Sequence, residues 1–167
     1  MSVLTIFTIQ FVFAFITFSF VIGWLVLPHL KTTPLFTVLT ILVVLHCLRV
    51  LGMVYLLPTV TDPTIPHAFA YPTAYGDLIS AILAMLSVVA LHYRKRYAII
   101  LVWIFNIFGF LDLLLATFTA NQLKLLGYNL GAAWFIPAFV VPFLLVTHIA
   151  IFWVLVKRGK EAKTESV

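Results

Sequence analysis

Apolar residues occupy this chain in long uncharged blocks of about 17 to 25 residues, separated by short breaks rich in proline, glycine or basic residues. A helix rises about 1.5 Å per residue and needs about 20 residues to cross the hydrocarbon of a bilayer. The blocks therefore predict membrane-spanning helices over 3–27, 34–57, 76–92, 97–120 and 132–156. Pro28 and Pro34 bracket the first break, with His29 and Lys31 between them, and the Arg94-Lys95-Arg96 run cannot enter the bilayer cheaply. Gly127, Asn129 and Gly131 mark the fourth connection.

The connection from Pro58 to Tyr75 differs from the others. It holds four of the eight prolines, three aromatic residues and His67, but no Lys or Arg. This composition predicts a semi-rigid cover, or a segment dipping into the interface, where a lid or entrance would lie. The expected fold class is all-α: a polytopic transmembrane helical bundle of about five spans. Residues 1–157 form its single domain, and 158–167 a flexible cytoplasmic tail. A four-span arrangement, with a re-entrant segment at 76–92, is the alternative.

Composition narrows the class. With 64% hydrophobic and 9% charged residues and a mean hydropathy of +1.20, an ordinary soluble domain is excluded. Sixteen Phe and four Trp supply more apolar surface than a core of this size can hide from water. The net charge of +5 resembles a nucleic-acid signal until the basic residues are located. Arg94, Lys95, Arg96, Lys157, Arg158, Lys160 and Lys163 all flank apolar spans, so they read as membrane-surface anchors. Membrane lipids are the expected partners, with a second copy or a partner membrane subunit beside them, and no nucleic acid. Cys47 is the single cysteine, which rules out an intrachain disulfide and a multi-thiolate metal site. The first apolar run has no basic segment before it and no small-residue cleavage site after it, so a retained span is expected rather than a signal peptide.

Basic residues also set an expected orientation. Lys31, Arg94, Lys95, Arg96 and the four of the C-terminal segment fall on one side, and only Lys124 on the other, which predicts an outward N-terminus and a cytoplasmic C-terminus. Trp24 and Trp153 near the inner ends fit an aromatic belt.

This topology converts sequence position into depth. Arg49 lies about 22 Å from the inner surface on the second span, and Asp112 at nearly the same height on the fourth. Gln10, about 10 Å below the outer surface on the first span, falls at a similar level, with Asp77 just above at the start of the third. A lone charge near the bilayer core costs at least about 2.5 kcal/mol, so pairing is expected. Arg49 and Asp112 read either as a stapling ion pair that fixes helix register or as a polar site under the proline-rich cover. Asp77 has a simpler reading too: Gly76-Asp77 opens a helix, and the carboxylate caps free backbone amides. Ser80, Ala81, Ala84 and Ser87 form a small-residue packing stripe on the same helix.

Deeper, His46 shares a face with Arg49, while His148 and Asn106 lie about 14 Å from the inner surface. Asn106, Gly109 and Asp112 step along the fourth span at intervals of three, which sets the asparagine and aspartate about 120° apart. Two histidines on different helices are the minimum for bis-imidazole haem ligation, and haem b is the one cofactor considered. The simpler reading has each histidine hydrogen-bonded to backbone or to a threonine such as Thr147. A zinc or copper site from His46, His148 and Asp112 lacks a close-spaced ligand pair, so no metal site is assigned. A proton relay from His67 through Asp77, Arg49 and Asp112 to His46 is chemically sensible. Pro137 and Pro142 free backbone carbonyls in the fifth span and predict a kink there.

The polar positions form a pattern: Arg49-x-x-Gly52, then Phe69-Ala70-x-Pro72-x-x-x-Gly76-Asp77, then Asn106-x-x-Gly109-x-x-Asp112, then Pro137 and Pro142 followed by His148. It resembles a family of small, functionally uncharacterised bacterial multi-pass membrane proteins, over roughly residues 45 to 155 and without the first span. The resemblance implies a bacterial cytoplasmic membrane and marks these residues as the ones to test. It carries no activity.

No phosphate loop, Gly-x-Ser-x-Gly, His-Glu-x-x-His or paired protease-type aspartate occurs, so no catalytic residue is assigned. The leading expectation is a membrane-embedded binding or transport module. Arg49, Asp112, Asp77, His46, Asn106, Gln10, His67 and His148 would contact a small polar or amphiphilic ligand, or protons. The alternatives are a redox or lipid-modifying enzyme using His46 and His148, and an accessory subunit in which Arg49 and Asp112 only hold the bundle together.

Overall fold

The computed structural model describes residues 1–162, all of whose regular elements are helical. Five helices are long and apolar enough to cross a membrane: α1 (Val3–His29), α2 (Leu35–Leu56), α3 (His67–His92), α4 (Ala98–Gln122) and α5 (Gly131–Glu161). The re-entrant alternative for the third segment does not hold, because α3 is a continuous helix of 26 residues. It begins at His67 rather than at residue 76, so the connection from α2 is much shorter than its prolines suggest. Pro66 serves as N-cap, where an N–H would be unsatisfied anyway, and Pro72 stands inside the second turn, where it deprives the Ala68 carbonyl of its intrahelical donor.

α3 packs along α2 on one side and α4 on the other, α5 touches α2 and α4, and α1 lies mainly against α5. α1 is peripheral: only Ala14 and Ile22 are buried, while Phe13, Ile16, Phe20 and Trp24 are exposed on its flank. Two apolar clusters hold the bundle. The larger one, around Leu39, Leu42, Leu91, Phe105 and Ile151, fills the end that carries the C-terminus. The smaller one, around Tyr55, Ile65, Phe69, Leu125 and Leu130, closes the end that carries the N-terminus.

Three helices depart from α geometry. α2 is α-helical to Val44 and then continues as a 3-10 helix from Leu45 to Leu56, 12 residues where such runs usually last three or four. With three residues per turn, side chains three apart eclipse, so His46, Arg49, Gly52 and Tyr55 stand in one column, and all four are buried. α1 widens to a π-helical stretch at Val21–Val26 before Pro28, and α5 does so at Ile136–Val140 before Pro142. A wider turn relieves the clash between a proline ring and the preceding turn. The kink expected at Pro137 and Pro142 thus takes the form of 3-10 and π windings ahead of the α-helical Val141–Arg158.

The loops at the N-terminal end clasp one another. The Asp62 carboxylate accepts from the Thr64 N–H (2.8 Å) and hydroxyl (2.6 Å), and the Asp62 N–H donates to the Asn129 carbonyl at 2.8 Å. Those two hydrogen bonds from Thr64, the hydroxyl first, hold the exposed Asp62 carboxyl below its usual range. Gly131 sits at φ +52 with the Val60 carbonyl against its Cα, a position that only glycine fills without strain. At the other end, the Arg158 guanidinium donates to the carbonyls of Leu30 (3.1 Å) and Thr33 (2.9 Å), so Arg158 belongs to the bundle and not to a tail. Gly159–Glu161 follows it as a 3-10 turn, and residues 163–167 of the expected tail lie outside the described residues.

Candidate functional site

Between the two apolar clusters lies a polar layer organised by Arg49, whose side chain is fully buried. Its Nε donates to Asp77 Oδ1 at 2.8 Å and its Nη2 to Asp112 Oδ2 at 2.6 Å, while Nη1 donates to the Gly109 carbonyl at 2.8 Å. A guanidinium presents a planar fork of donors, and here α2 uses it to join α3 to α4. The depth argument from sequence placed these three charges together correctly. Its reading of Asp77 as a helix cap does not hold, because α3 starts ten residues earlier at His67 and Asp77 lies in its interior.

Each charge sits beside a glycine of its own helix, and the three pairs interlock in a ring. A Cβ on Gly52 would collide with the Asp77 carboxylate, and one on Gly76 with that of Asp112. A Cβ on Gly109 would lie 2.9 Å from both Arg49 Nη1 and His148 Cε1. So the Arg49 helix makes room for Asp77, the Asp77 helix for Asp112, and the Asp112 helix for Arg49. This gives the spacings Arg49-x-x-Gly52, Gly76-Asp77 and Gly109-x-x-Asp112 a physical meaning: the absent side chains are the sockets of the charged ones.

One level deeper the histidines meet. His148 Nδ1 lies 2.7 Å from Asn106 Oδ1, and Asn106 Nδ2 donates to the His148 carbonyl at 3.2 Å. Nδ1 therefore carries the proton, which leaves Nε2 as the acceptor facing Arg49 Nη1 at 3.5 Å and the ring neutral. His46 Nε2 lies 3.0 Å from the Thr147 hydroxyl, the threonine the sequence offered as a partner, and that hydroxyl donates back to its own helix at Phe143 or Leu144. His46 Nδ1 and Ser80 Oγ are buried without a hydrogen-bond partner. Each sits one turn from the Arg49–Asp77 bond on its own helix, on the side toward the C-terminal end, so the polar layer extends to that depth.

The two imidazoles do not fit haem. Their centroids are 4.2 Å apart and the rings touch, with Phe105 against both, so no porphyrin fits between them. Both are fully buried, which also removes them from contact with a substrate as acid-base groups. Among the described residues no group of three His, Cys, Asp or Glu side chains gathers to hold a metal.

Gln10 and His67 fall outside the layer. Gln10 Oε1 accepts from Trp134 Nε1 at 2.8 Å, which ties α1 to the start of α5. His67 lies exposed at the start of α3 with its ring against Tyr71, so the relay expected to begin there has its first member about 15 Å along the helix from Asp77. Residues that sequence reasoning passed over take part instead. A half-open cavity of about 650 Å³ descends from the N-terminal end between α1 and α4 and reaches Asp77. Asp77 lies at its inner end, with Thr73 one turn of α3 above it and Tyr55 and Phe69 nearer the N-terminal end, and its walls are largely apolar, with Phe7 and Phe11 from α1. The period of three from His46 to Tyr55 was the available signal, since an α-helix would not hold those positions in line.

Fold and site together define a helical bundle with five helices able to cross a membrane and a charged layer inside it. The chain belongs to the family described as "Domain of unknown function (DUF8737)", whose model matches residues 6–156. That match takes in α1, which the resemblance drawn from the motifs had left out. Comparison with curated proteins and with solved structures gives no match.

Proposed function

We propose that the chain is a multi-pass protein of the bacterial cytoplasmic membrane that binds or transports a small amphiphilic ligand in the cavity above Asp77. The N-terminus, the clasped loops and the cavity mouth face outward, and the C-terminus faces the cytoplasm. The observation that carries this reading is that the cavity ends on a buried carboxylate. A bundle that needed only an ion-pair staple would close over its charges, because exposing them to a large void forfeits packing on every wall. The volume lies within the range of about 300 to 1,000 Å³ usual for small-molecule sites. Orientation rests on the basic residues: Lys31, Arg94, Lys95, Arg96 and the C-terminal four against Lys124 alone.

Mass spectrometry under native conditions tests the binding reading. Protein extracted from its own membrane is expected to carry a small amphiphile, lost in Ala116→Trp, which fills the cavity one turn of α4 beyond Asp112 toward the N-terminal end of the bundle. Identical spectra for the two proteins would overturn it. In cells with Cys47 replaced, an impermeant maleimide is expected to label Thr64→Cys but not Lys95→Cys, and the reverse would invert the topology. A second reading, an accessory subunit in which Arg49 staples α2, α3 and α4, draws on the glycine interlock and is separated from the first by charge exchange, described below.

A further inference from the structure

The charges in the polar layer do not cancel. One guanidinium faces two carboxylates, and both imidazoles are held neutral by their hydrogen bonds: His148 donates from Nδ1 and accepts at Nε2, and His46 has an acceptor for only one of its two nitrogens. With both carboxylates ionised the layer carries one net negative charge, in a place where an uncompensated charge costs several kcal/mol. Among the described residues Lys124 is the one basic residue that lines the cavity. It stands at the rim, just past the end of α4 and three helical turns beyond Asp112, among headgroups and water, and does not neutralise the inner end.

The cavity meets this layer at Asp77, and the side chains around that carboxylate are of a particular kind. Tyr55 and Phe69 pack edge to face, centroids 5.1 Å apart, and both line the cavity on the way down to it, Phe69 two turns of α3 nearer the N-terminal end. Aromatic faces next to a carboxylate are the chemistry that recognises an organic cation: the carboxylate supplies the charge and the ring quadrupoles attract the ammonium in a desolvated pocket. An anion would meet the Asp77 carboxylate at the inner end, because Arg49 is engaged with both carboxylates, the Gly109 carbonyl and His148. A purely apolar ligand would leave the excess charge unanswered. Above the ammonium position, Phe7, Phe11, Leu113 and Ile136 offer walls for an alkyl or aryl body. α1 packs mainly on α5, so the wall between α1 and α4 is not closed by helix contact, and the bilayer has a lateral way in.

We infer that the cavity takes a monocationic amphiphile, its ammonium against Asp77 below the Tyr55–Phe69 pair and its apolar body toward α1 and the outer leaflet. This rests on the reading of the cavity as a binding site, and three probes of one chain length separate the two ideas: decylamine (cationic at neutral pH), decanol and decanoate. Binding to the wild-type protein in zwitterionic nanodiscs is compared with binding to Ala116→Trp, which subtracts partitioning into lipid. The expected result is that decylamine binds the wild type at least about tenfold more tightly than decanol, and decanoate more weakly still, with all differences gone in Ala116→Trp. Equal binding of decylamine and decanol, or a preference for decanoate, would overturn the cationic inference and leave the cavity as a site for another amphiphile. If no probe distinguishes the wild type from Ala116→Trp, the binding reading falls with it. Asp77→Asn, where it folds, is expected to abolish the preference for the amine over the alcohol. The wild-type comparison decides the matter without that variant.

Discussion

Replacing Gly76 by alanine sets two effects of opposite sign against each other. Alanine is the better helix former, by about 1 kcal/mol in a helix interior. Its Cβ, however, would come within 2.7 Å of Asp112 Cγ, and Asp112 is held from its other side by Arg49 Nη2 at 2.6 Å. The carboxylate must move, which carries the overpacking cost of about 1 to 3 kcal/mol. To that is added part of the roughly 3 to 5 kcal/mol attached to parting a buried ion pair. The socket wins: Gly76→Ala is expected to lose about 2 kcal/mol or more, a fall in Tm of about 4 to 8 °C for a chain of this size. Gly23, with nothing within 4 Å of a built Cβ, supplies the control, and Gly23→Ala is expected to gain up to about 1 kcal/mol. The assay is thermal unfolding in one detergent, with the double-mutant cycle completed by Asp112→Ala. In that background the clash is gone, one guanidinium faces one carboxylate, and Gly76→Ala should stabilise. A Gly76→Ala protein as stable as Gly23→Ala, or one whose penalty persists without the Asp112 carboxylate, would refute the interlock.

Other substitutions probe the remaining parts. Exchange of Arg49 and Asp112 (R49D with D112R) is expected to restore folding lost in either single variant, and loss of ligand binding in the refolded exchange would mark the layer as a site, whereas retained binding would mark it as a staple. Asn106→Leu leaves the His148 Nδ1 proton without an acceptor, at a cost of about 1 to 3 kcal/mol readable as a lowered Tm, and an unchanged Tm would contradict the tautomer assigned here. The Asp62 carboxyl is depressed in the folded protein, so its contribution is complete above the unfolded value of about 3.9 and is lost as pH falls through the folded one. The protection factor of the Thr64 amide should therefore be constant near neutrality and fall relative to other loop amides only in that acid range, and a fall already near pH 6 to 7 would argue against it.

The breaks between spans were readable because basic triplets and glycines do not enter hydrocarbon, and the meeting of Arg49, Asp77 and Asp112 was readable because antiparallel spans turn residue number into depth. The start of α3 was not, since Pro58, Pro63, Pro66 and Pro72 look alike in sequence. Only the fold shows that Pro66 caps a helix and that Pro72 falls near its beginning. Depth alone also misplaced Gln10. It lies at a suitable height, but α1 stands off against α5, so Trp134 and not Arg49 is within its reach. Height along a helix says nothing about azimuth. The glycines were visible as letters in a pattern, and their role as sockets needed the neighbouring helices in place.

The winding of α2 ties the cavity to the layer below it. Wound as an α-helix, the 12 residues from Leu45 to Leu56 would be about 6 Å shorter, and Tyr55 would be turned about half a revolution from His46. The histidine could then keep Thr147 only if the tyrosine left Phe69, or the reverse. One length of backbone behaves as a screw whose pitch decides whether both of its ends engage, and the aromatic wall above Asp77 exists only at the tighter thread.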